Sequence, residues 1–295
     1  MPEGDSIARL AARLRPALEG RTVVRFDAPH VAGPRPKAGS TVTKVESYGK
    51  YLMISFDDGH VLETHLRMNG RWDLYAPGER WRKPVHLARA VIEVADAVAV
   101  CFAAPVVRIR REKRTGGDID LTKVGTGQLG PDLCRDDADL DEALRRIPLV
   151  CEPDADIADV LLDQRVAAGV GNVFKSEVLW ACRVHPLTPV RDVDEKTRRQ
   201  LLETAAQQLR ANLGRGPRTT VSGPPGSLAV YARGRRQCRR CGATIVWKRT
   251  GRDKRTTYWC PTCQPEPATH ADAPPNVASP STVTPPSNLS PDRST

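Results

Sequence analysis

The chain has 295 residues, 40 % of them hydrophobic, with a formal net charge of +10 and a pI near 9.4. That is room for two modest domains, or one plus a small module, and no apolar run reaches the length of a membrane span. The start lacks a signal peptide's apolar core, so the expectation is a bacterial cytosolic protein with no membrane partner, and the basic balance points to a polyanion such as nucleic acid.

The opening "MPEGDSIARLAARL" places Ile7, Leu10, Leu14 and Leu18 at helical spacing. Pro is tolerated at a helix start and an acid suits its dipole, but Pro16 is expected to break or kink this helix. From about residue 21 to 110, runs rich in Val, Ile and Thr ("TVVRFDAPHV", "STVTKVES", "YLMISFDDGHVLETHL", "AVIEVADAVAVCF") alternate with Gly, Pro and Asp turns. They predict short strands in series, a sandwich or small barrel, with "DDGH" as a hairpin turn. "RIRREKR" at 108–114 is a basic cluster that suggests a phosphate footprint. After "GQLGPDLC" the apolar spacing becomes helical through about residue 215. A Gly/Pro/Ser loop, "GRGPRTTVSGPPGS", leads to a cysteine-rich basic module ending near Gln264. Residues 265–295 are rich in Pro, Ser, Thr and Ala without apolar periodicity, so a disordered tail is expected. The expected organisation is therefore 1–134, 135–229, 230–264 and the tail 265–295.

Charge is concentrated near the end of this plan. From Tyr231 to Cys263 there are ten basic residues and one acid, Asp253. Cys238, Cys241, Cys260 and Cys263 in the same stretch form C-x2-C-x18-C-x2-C, the ligand set of a tetrahedral zinc site on two tight turns joined by a β-hairpin. Four thiolates leave no open coordination position, so one structural zinc is expected. The hairpin arms "TIVWKRT" and "RTTYWC" would present basic residues, notably Arg255. Cys101, Cys134, Cys151 and Cys182 are isolated and predicted to be ordinary thiols of a reducing compartment.

Three further stretches carry chemistry-bearing residues. "LLDQRVAAGVGNVFKSEVLW" predicts helix, Gly-rich turn and helix, with Asn172 as N-cap. Gly169 and Gly171 would let the backbone approach a ligand closely, with free N–H groups suited to phosphate. An ordinary helical hairpin explains the stretch equally well. "ESYGKYLMISF" puts Lys50 between two strands, where a solvated lysine is the simplest reading. "THLRMNGRW" puts Arg67, Met68 and Asn69 in a turn; Met68 there is either a core gap-filler or a long apolar side chain able to insert between unstacked bases.

"MPEG" at the start, "YGK" at 48–50, "HLRMNG" at 65–70, "GVGNVFKSE" at 169–177 and the terminal four-Cys finger with "RTTYWCPTCQ" occur in this order over residues 2–264. Together they resemble the formamidopyrimidine-DNA glycosylase / endonuclease VIII family of base-excision repair enzymes. The resemblance implies an α+β multidomain fold: an N-terminal helix plus β-sandwich, a helix-two-turn-helix domain and a C-terminal β-hairpin zinc finger. It also implies a monomer acting on damaged double-stranded DNA, with Pro2 as Schiff-base nucleophile once Met1 is removed and Glu3 as proton donor. By the same resemblance Lys50, Asn172 and Arg255 would contact phosphates, and Met68 with its neighbours Arg67 and Asn69 would fill the gap left by an extruded base. The chemistry is coherent. An α-amine with pKa about 8 is roughly a tenth neutral at neutral pH, and a secondary amine attacking C1′ gives an iminium that acidifies the C2′ proton and permits β,δ-elimination. Glu3 would shuttle protons.

The opening "PEGDS" departs from the commoner family pattern, which has a second Glu where Ser6 stands and a Pro where Asp5 stands. It resembles an endonuclease VIII-like variant. By the same resemblance, the purine-directed branch has a long loop before the finger that closes over a flipped 8-oxoguanine; here only about nine residues, "VSGPPGSLA", separate "RTT" from "VYARGRRQC", too few for that role. Oxidised pyrimidines are the expected lesions. The alternatives are a purine-directed formamidopyrimidine/8-oxoguanine enzyme and a non-catalytic zinc-finger DNA-binding protein.

Overall fold

Ile7, Leu14 and Leu18 are at most 1 % exposed on one stripe of helix α1 (Gly4–Leu18), which lies against the inner faces of two sheets. The computed structural model describes residues 2–111 and 129–266. Pro16 does not end α1, contrary to expectation. Only the last turn follows it, the buried Leu18 holds that turn against the core, and Glu19 N still donates to Arg15 O at 2.9 Å, so one missing donor is tolerated.

The strand-rich region is a sandwich. One sheet has the order β1 (Val23–Asp27), β6 (Ala88–Val94), β7 (Ala97–Phe102), β5 (Arg71–Tyr75). The other runs β2 (Val42–Tyr48), β3 (Tyr51–Phe56), β4 (His60–His65), β8 (Val106–Arg111), and all pairings are antiparallel. Leu52, Ile54 and Phe56 of β3 face the core shared with α1. Met53 points the other way and packs with Tyr48, Val61, Leu129 and Ala168, which explains why β3 is apolar without alternation. The "DDGH" turn joins β3 to β4 as expected. The basic 108–114 cluster is in part the edge strand β8. Arg110 lies 2.6 Å from the buried Glu63, so that arginine is engaged in an ion pair, and residues 112–114 lie outside the described residues.

Helices α2 (Leu140–Val150), α3 (Ile157–Leu162), α4 (Asn172–Ala181) and α5 (Glu195–Ala211) build a second core around Phe174, Val178, Leu201 and Leu209. Asp139 and Asp194 cap α2 and α5 by accepting from Glu142 N and Thr197 N. A small third cluster, including Trp180, Val230, Ile245 and Cys260, ties α4 to the hairpin β9 (Val246–Thr250) and β10 (Arg255–Trp259). The expected disordered tail lies outside the described residues from residue 267 onward.

Candidate active site

The N-terminal turn is locked to a segment nearly 170 residues away in sequence. The Glu3 carboxylate, fully buried, accepts from Gly171 N (2.9 Å), Val173 N (2.8 Å) and Phe174 N (3.3 Å) at the start of α4. Three donors of a helix start thus meet one anion, the favourable arrangement for both dipole and orphan N–H groups. A Cβ on Gly171 would lie 2.3 Å from Glu3 Cδ, and one on Gly4 would lie 2.8 Å from Gly169 Cα. Both positions therefore need glycine for proximity. Gly4 N completes the contact by donating to Gly169 O at 2.9 Å. This corrects two expectations. Gly171, not Asn172, is the N-cap of α4. The donors expected to face a ligand are engaged by the chain's own Glu3.

Ser6 takes a defined part in that turn. Its Oγ accepts from Glu3 N at 2.8 Å, closing the capping box from the N3 position. Asp5 is fully buried and turned toward arginines. It pairs with Arg218 at 2.9 and 2.5 Å and with Arg9 at 3.3 Å. It does not occupy the place of Ser6.

Lys50 sits in the two-residue Gly49–Lys50 turn between β2 and β3. A Cβ on Gly49 would lie 2.8 Å from Ala168 Cβ, so this tip is pressed against the Gly-rich turn beside Glu3. Burial pushes the half-buried Lys50 ammonium down to about 8, Glu3 opposing that shift and Arg255 adding to it. No hydrogen bond or ion pair holds it among the described residues. His65, edge-on to Tyr51 at 4.8 Å, is pushed down to about 4 by burial and by the charges of Lys50 and Arg67, so it is neutral at neutral pH. Leu66 to Gly70 then form a tight loop, Gly70 N donating to Leu66 O at 2.8 Å and Arg67 held at φ +45°. Met68 is 64 % exposed at its tip, which rules out the gap-filling reading. Pro2, Met68 and Asn69 line one groove of about 880 Å³, bounded further by Leu66 and Gly70–Trp72, the Ser6–Pro16 face of α1 and Leu213–Arg215.

Asn172 and Arg255 come together through the hairpin. Asn172 Nδ2 donates to Thr256 O at 2.8 Å, and its Oδ1 accepts from Lys175 Nζ at 2.8 Å. Lys175 also donates to Thr257 Oγ1 at 2.7 Å and is 1 % exposed. Burial pushes it down to about 8 as well. Asp159 accepts from Arg252 N at 3.0 Å, seating the hairpin turn on α3. Arg255, at the start of β10, lies 3.3 Å from Asp253. Lys175 and Asp159 were not anticipated. Lys175 does stand inside "GVGNVFKSE", but its i+3 spacing from Asn172 is common to any helix and assigns it no role.

The four finger cysteines bring their sulfurs within 4.8 Å of one another. Cys238–Cys263, Cys241–Cys260 and Cys241–Cys263 are 3.9, 3.5 and 3.4 Å apart. These spacings are far beyond a disulfide and match tetrahedral coordination, where Zn–S bonds of about 2.3 Å put sulfurs roughly 3.8 Å apart. Burial opposes the Cys238 thiolate, but the donors around it together, Arg240 N first, then Trp180, Cys241 N and Cys260, lower this thiol to about 6, towards the thiolate a metal needs.

The expected site residues thus fall into one connected region. Glu3 and the Gly49–Lys50 tip meet the 168–172 turn, Asn172 ties that turn to β10 beside Arg255, Pro2 shares a groove with Met68 and Asn69, and the four cysteines cluster at the base of the hairpin.

The chain matches the formamidopyrimidine-DNA glycosylase N-terminal domain over residues 1–106 and the formamidopyrimidine-DNA glycosylase H2TH domain over 129–222. It is 38 % identical to the probable endonuclease 8 2 of Streptomyces coelicolor, covering 91 % of this chain and 95 % of that protein. It is 37 % identical to the DNA-(apurinic or apyrimidinic site) lyase Nei2 of Mycolicibacterium smegmatis, covering 90 % and 99 %. The fold is shared with Lactococcus lactis Fpg in complex with DNA containing an abasic site, at a TM-score of 0.73 and 22 % identity over 90 % of this chain and all of that one.

Proposed function

The chain belongs to the formamidopyrimidine-DNA glycosylase / endonuclease VIII family, and on that premise we propose that it is a bifunctional DNA glycosylase and apurinic/apyrimidinic lyase of base excision repair. Its proposed substrate is damaged double-stranded DNA. The carrying observation is the lock between the N-terminal turn and the start of α4, which fixes Glu3 beside Pro2 with Lys50 close enough for their charges to interact.

In this reading the Pro2 amine, free once Met1 is removed, attacks C1′ of an extruded nucleotide. The glycosidic bond breaks and the base leaves with a proton. Opening of the sugar ring leaves an iminium between the Pro2 nitrogen and C1′. Loss of the C2′ proton then expels the 3′ phosphate, a second elimination expels the 5′ phosphate, and water releases Pro2. Glu3 moves the protons these steps require. Lys50, Asn172 and Arg255 hold backbone phosphates, and Met68 with Arg67 and Asn69 enters the space left by the flipped base. The cysteine cluster suits one structural zinc, which would hold the hairpin in shape and supply no chemistry of its own. Elemental analysis should find one zinc per chain.

The substrate preference proposed is for oxidised pyrimidines. The supporting feature is the short 221–229 connection, whose start is closed into a turn by Thr220 N to Ser227 O (3.0 Å) and Gly226 N to Thr219 Oγ1 (2.9 Å). Borohydride should trap a protein–DNA adduct at Pro2. Adduct mapping to Lys50, or undiminished trapping with Met1 retained, refutes the nucleophile. Faster release of 8-oxoguanine opposite cytosine than of any oxidised pyrimidine refutes the lesion preference alone.

A further inference from the structure

Asp5 and Arg218 form a buried ion pair that the proposed chemistry does not use. Asp5 is fully buried, and the Arg218 side chain is 14 % exposed. The guanidinium meets both Asp5 oxygens, from Nε at 2.9 Å and Nη2 at 2.5 Å, while Nη1 lies 3.9 Å from Glu3 Oε1. Its plane also lies over the Phe174 ring at 4.8 Å. Arg9 joins from the next turn of α1, donating to Asp5 at 3.3 Å and to Gly216 O at 2.6 Å. The segment after α5 is thereby fastened to α1 at two points, Gly216 and Arg218. Immediately before those points, Leu213–Arg215 forms one wall of the groove that Pro2 and Met68 also line.

We propose that the Asp5–Arg9–Arg218 bridge is a specificity-determining device: it fixes the distance between the 213–218 segment and α1, and so the width of the groove into which a base beside Pro2 must fit. The inference rests on the glycosylase reading above. Its physical basis is the stiffness of a bidentate, desolvated arginine–carboxylate pair, which resists the sliding that a single contact allows. Breaking a buried pair leaves an uncompensated charge, so the wall relaxes outward to let water reach it. A wider groove admits larger bases and holds small ones less well. Abasic sugar has no base to place and is indifferent to the wall.

The test uses the full-length zinc-containing protein and the variants Asp5→Asn and Arg218→Lys, with thermal unfolding and zinc content measured for each. Single-turnover release is compared for thymine glycol and for 8-oxoguanine in otherwise identical duplexes, alongside cleavage of a preformed abasic site. The expected result is a change of about tenfold or more in the pyrimidine-to-purine ratio for Asp5→Asn, in favour of the purine, with abasic-site cleavage within about threefold of the parent. Arg218→Lys, which keeps the charge but not the fork, should shift the ratio less. An unchanged ratio overturns the proposal, whether the rates stay constant or all three fall together. A parent enzyme that prefers 8-oxoguanine would refute the pyrimidine reading but not the bridge, which is judged by whether the ratio moves toward the larger base. Failure of Asp5→Asn to fold leaves Arg218→Lys to decide by the same ratio.

Discussion

Lys50 follows the glycine packed on the 168–172 turn, Lys175 lies one helical turn beyond it in α4, and burial pushes both down to about 8. Their surroundings differ. Lys175 is 1 % exposed and donates to Asn172 Oδ1 and Thr257 Oγ1, so its ammonium is committed to holding β10 against α4. Lys50 is at a hairpin tip, half-buried, with no such partner among the described residues. One buried cation is spent on architecture. The other bears a desolvation cost that the charge of Glu3 offsets only in part, and an incoming phosphate would supply a direct partner.

Lys50→Met should therefore lower single-turnover cleavage of abasic DNA by about a hundredfold or more without lowering thermal stability, since it removes a desolvated charge and no internal hydrogen bond. A larger loss of stability than in Lys175→Met would erase the distinction between the two. Lys175→Met should act mainly on stability, and in a pH-dependent way. It removes two hydrogen bonds from a charged donor, about 1.5–3 kcal/mol each, and relieves a buried charge costing about 3 kcal/mol, for a net loss of about 0–3 kcal/mol at pH 7. The native pKa lies below the unfolded value, so the folded protein bears the full charge cost below pH 8 and is relieved of it as pH rises toward 10.5. Parent stability should thus gain over that window from this group, and the deficit of Lys175→Met should widen. A deficit that shrinks between pH 8 and 10 in denaturant titrations would reverse the assignment.

Binding should separate them again. If phosphate prefers charged Lys50, affinity for abasic-analogue DNA should fall by up to about tenfold per pH unit above 8, and this dependence should vanish in Lys50→Met but persist in Lys175→Met. The smallest expected effect is that of Arg255→Ala, which Lys175 positions through β10. Affinity should fall by about three- to tenfold and the slope of log affinity against log salt should lessen by about one. An unchanged slope would mean that Arg255 does not meet a phosphate directly.

Much of this was legible in the chain. The 3.6-residue spacing of Ile7, Leu14 and Leu18, the β-branched runs, and the C-x2-C pairs follow from local physics, and they predicted the helix, the sandwich strands and the metal cluster. Five motifs in order predicted the family. Local reasoning failed where a distant group competed with a nearby one. Asn172 is a good N-cap by propensity, yet Glu3 reaches that helix start from the other end of the chain, and Gly171 takes the cap because only glycine leaves room for the carboxylate. Pro16 should have ended α1, but the burial of Leu18 outweighs one missing donor. Arg110 looked available for phosphate until β8 paired with β4 and set it against Glu63. The sequence by itself determined which residue types were present and how each segment prefers to fold. Tertiary structure alone decided which charges are spent, because ion pairs such as Asp5–Arg218 join residues 213 positions apart and leave no periodicity to detect.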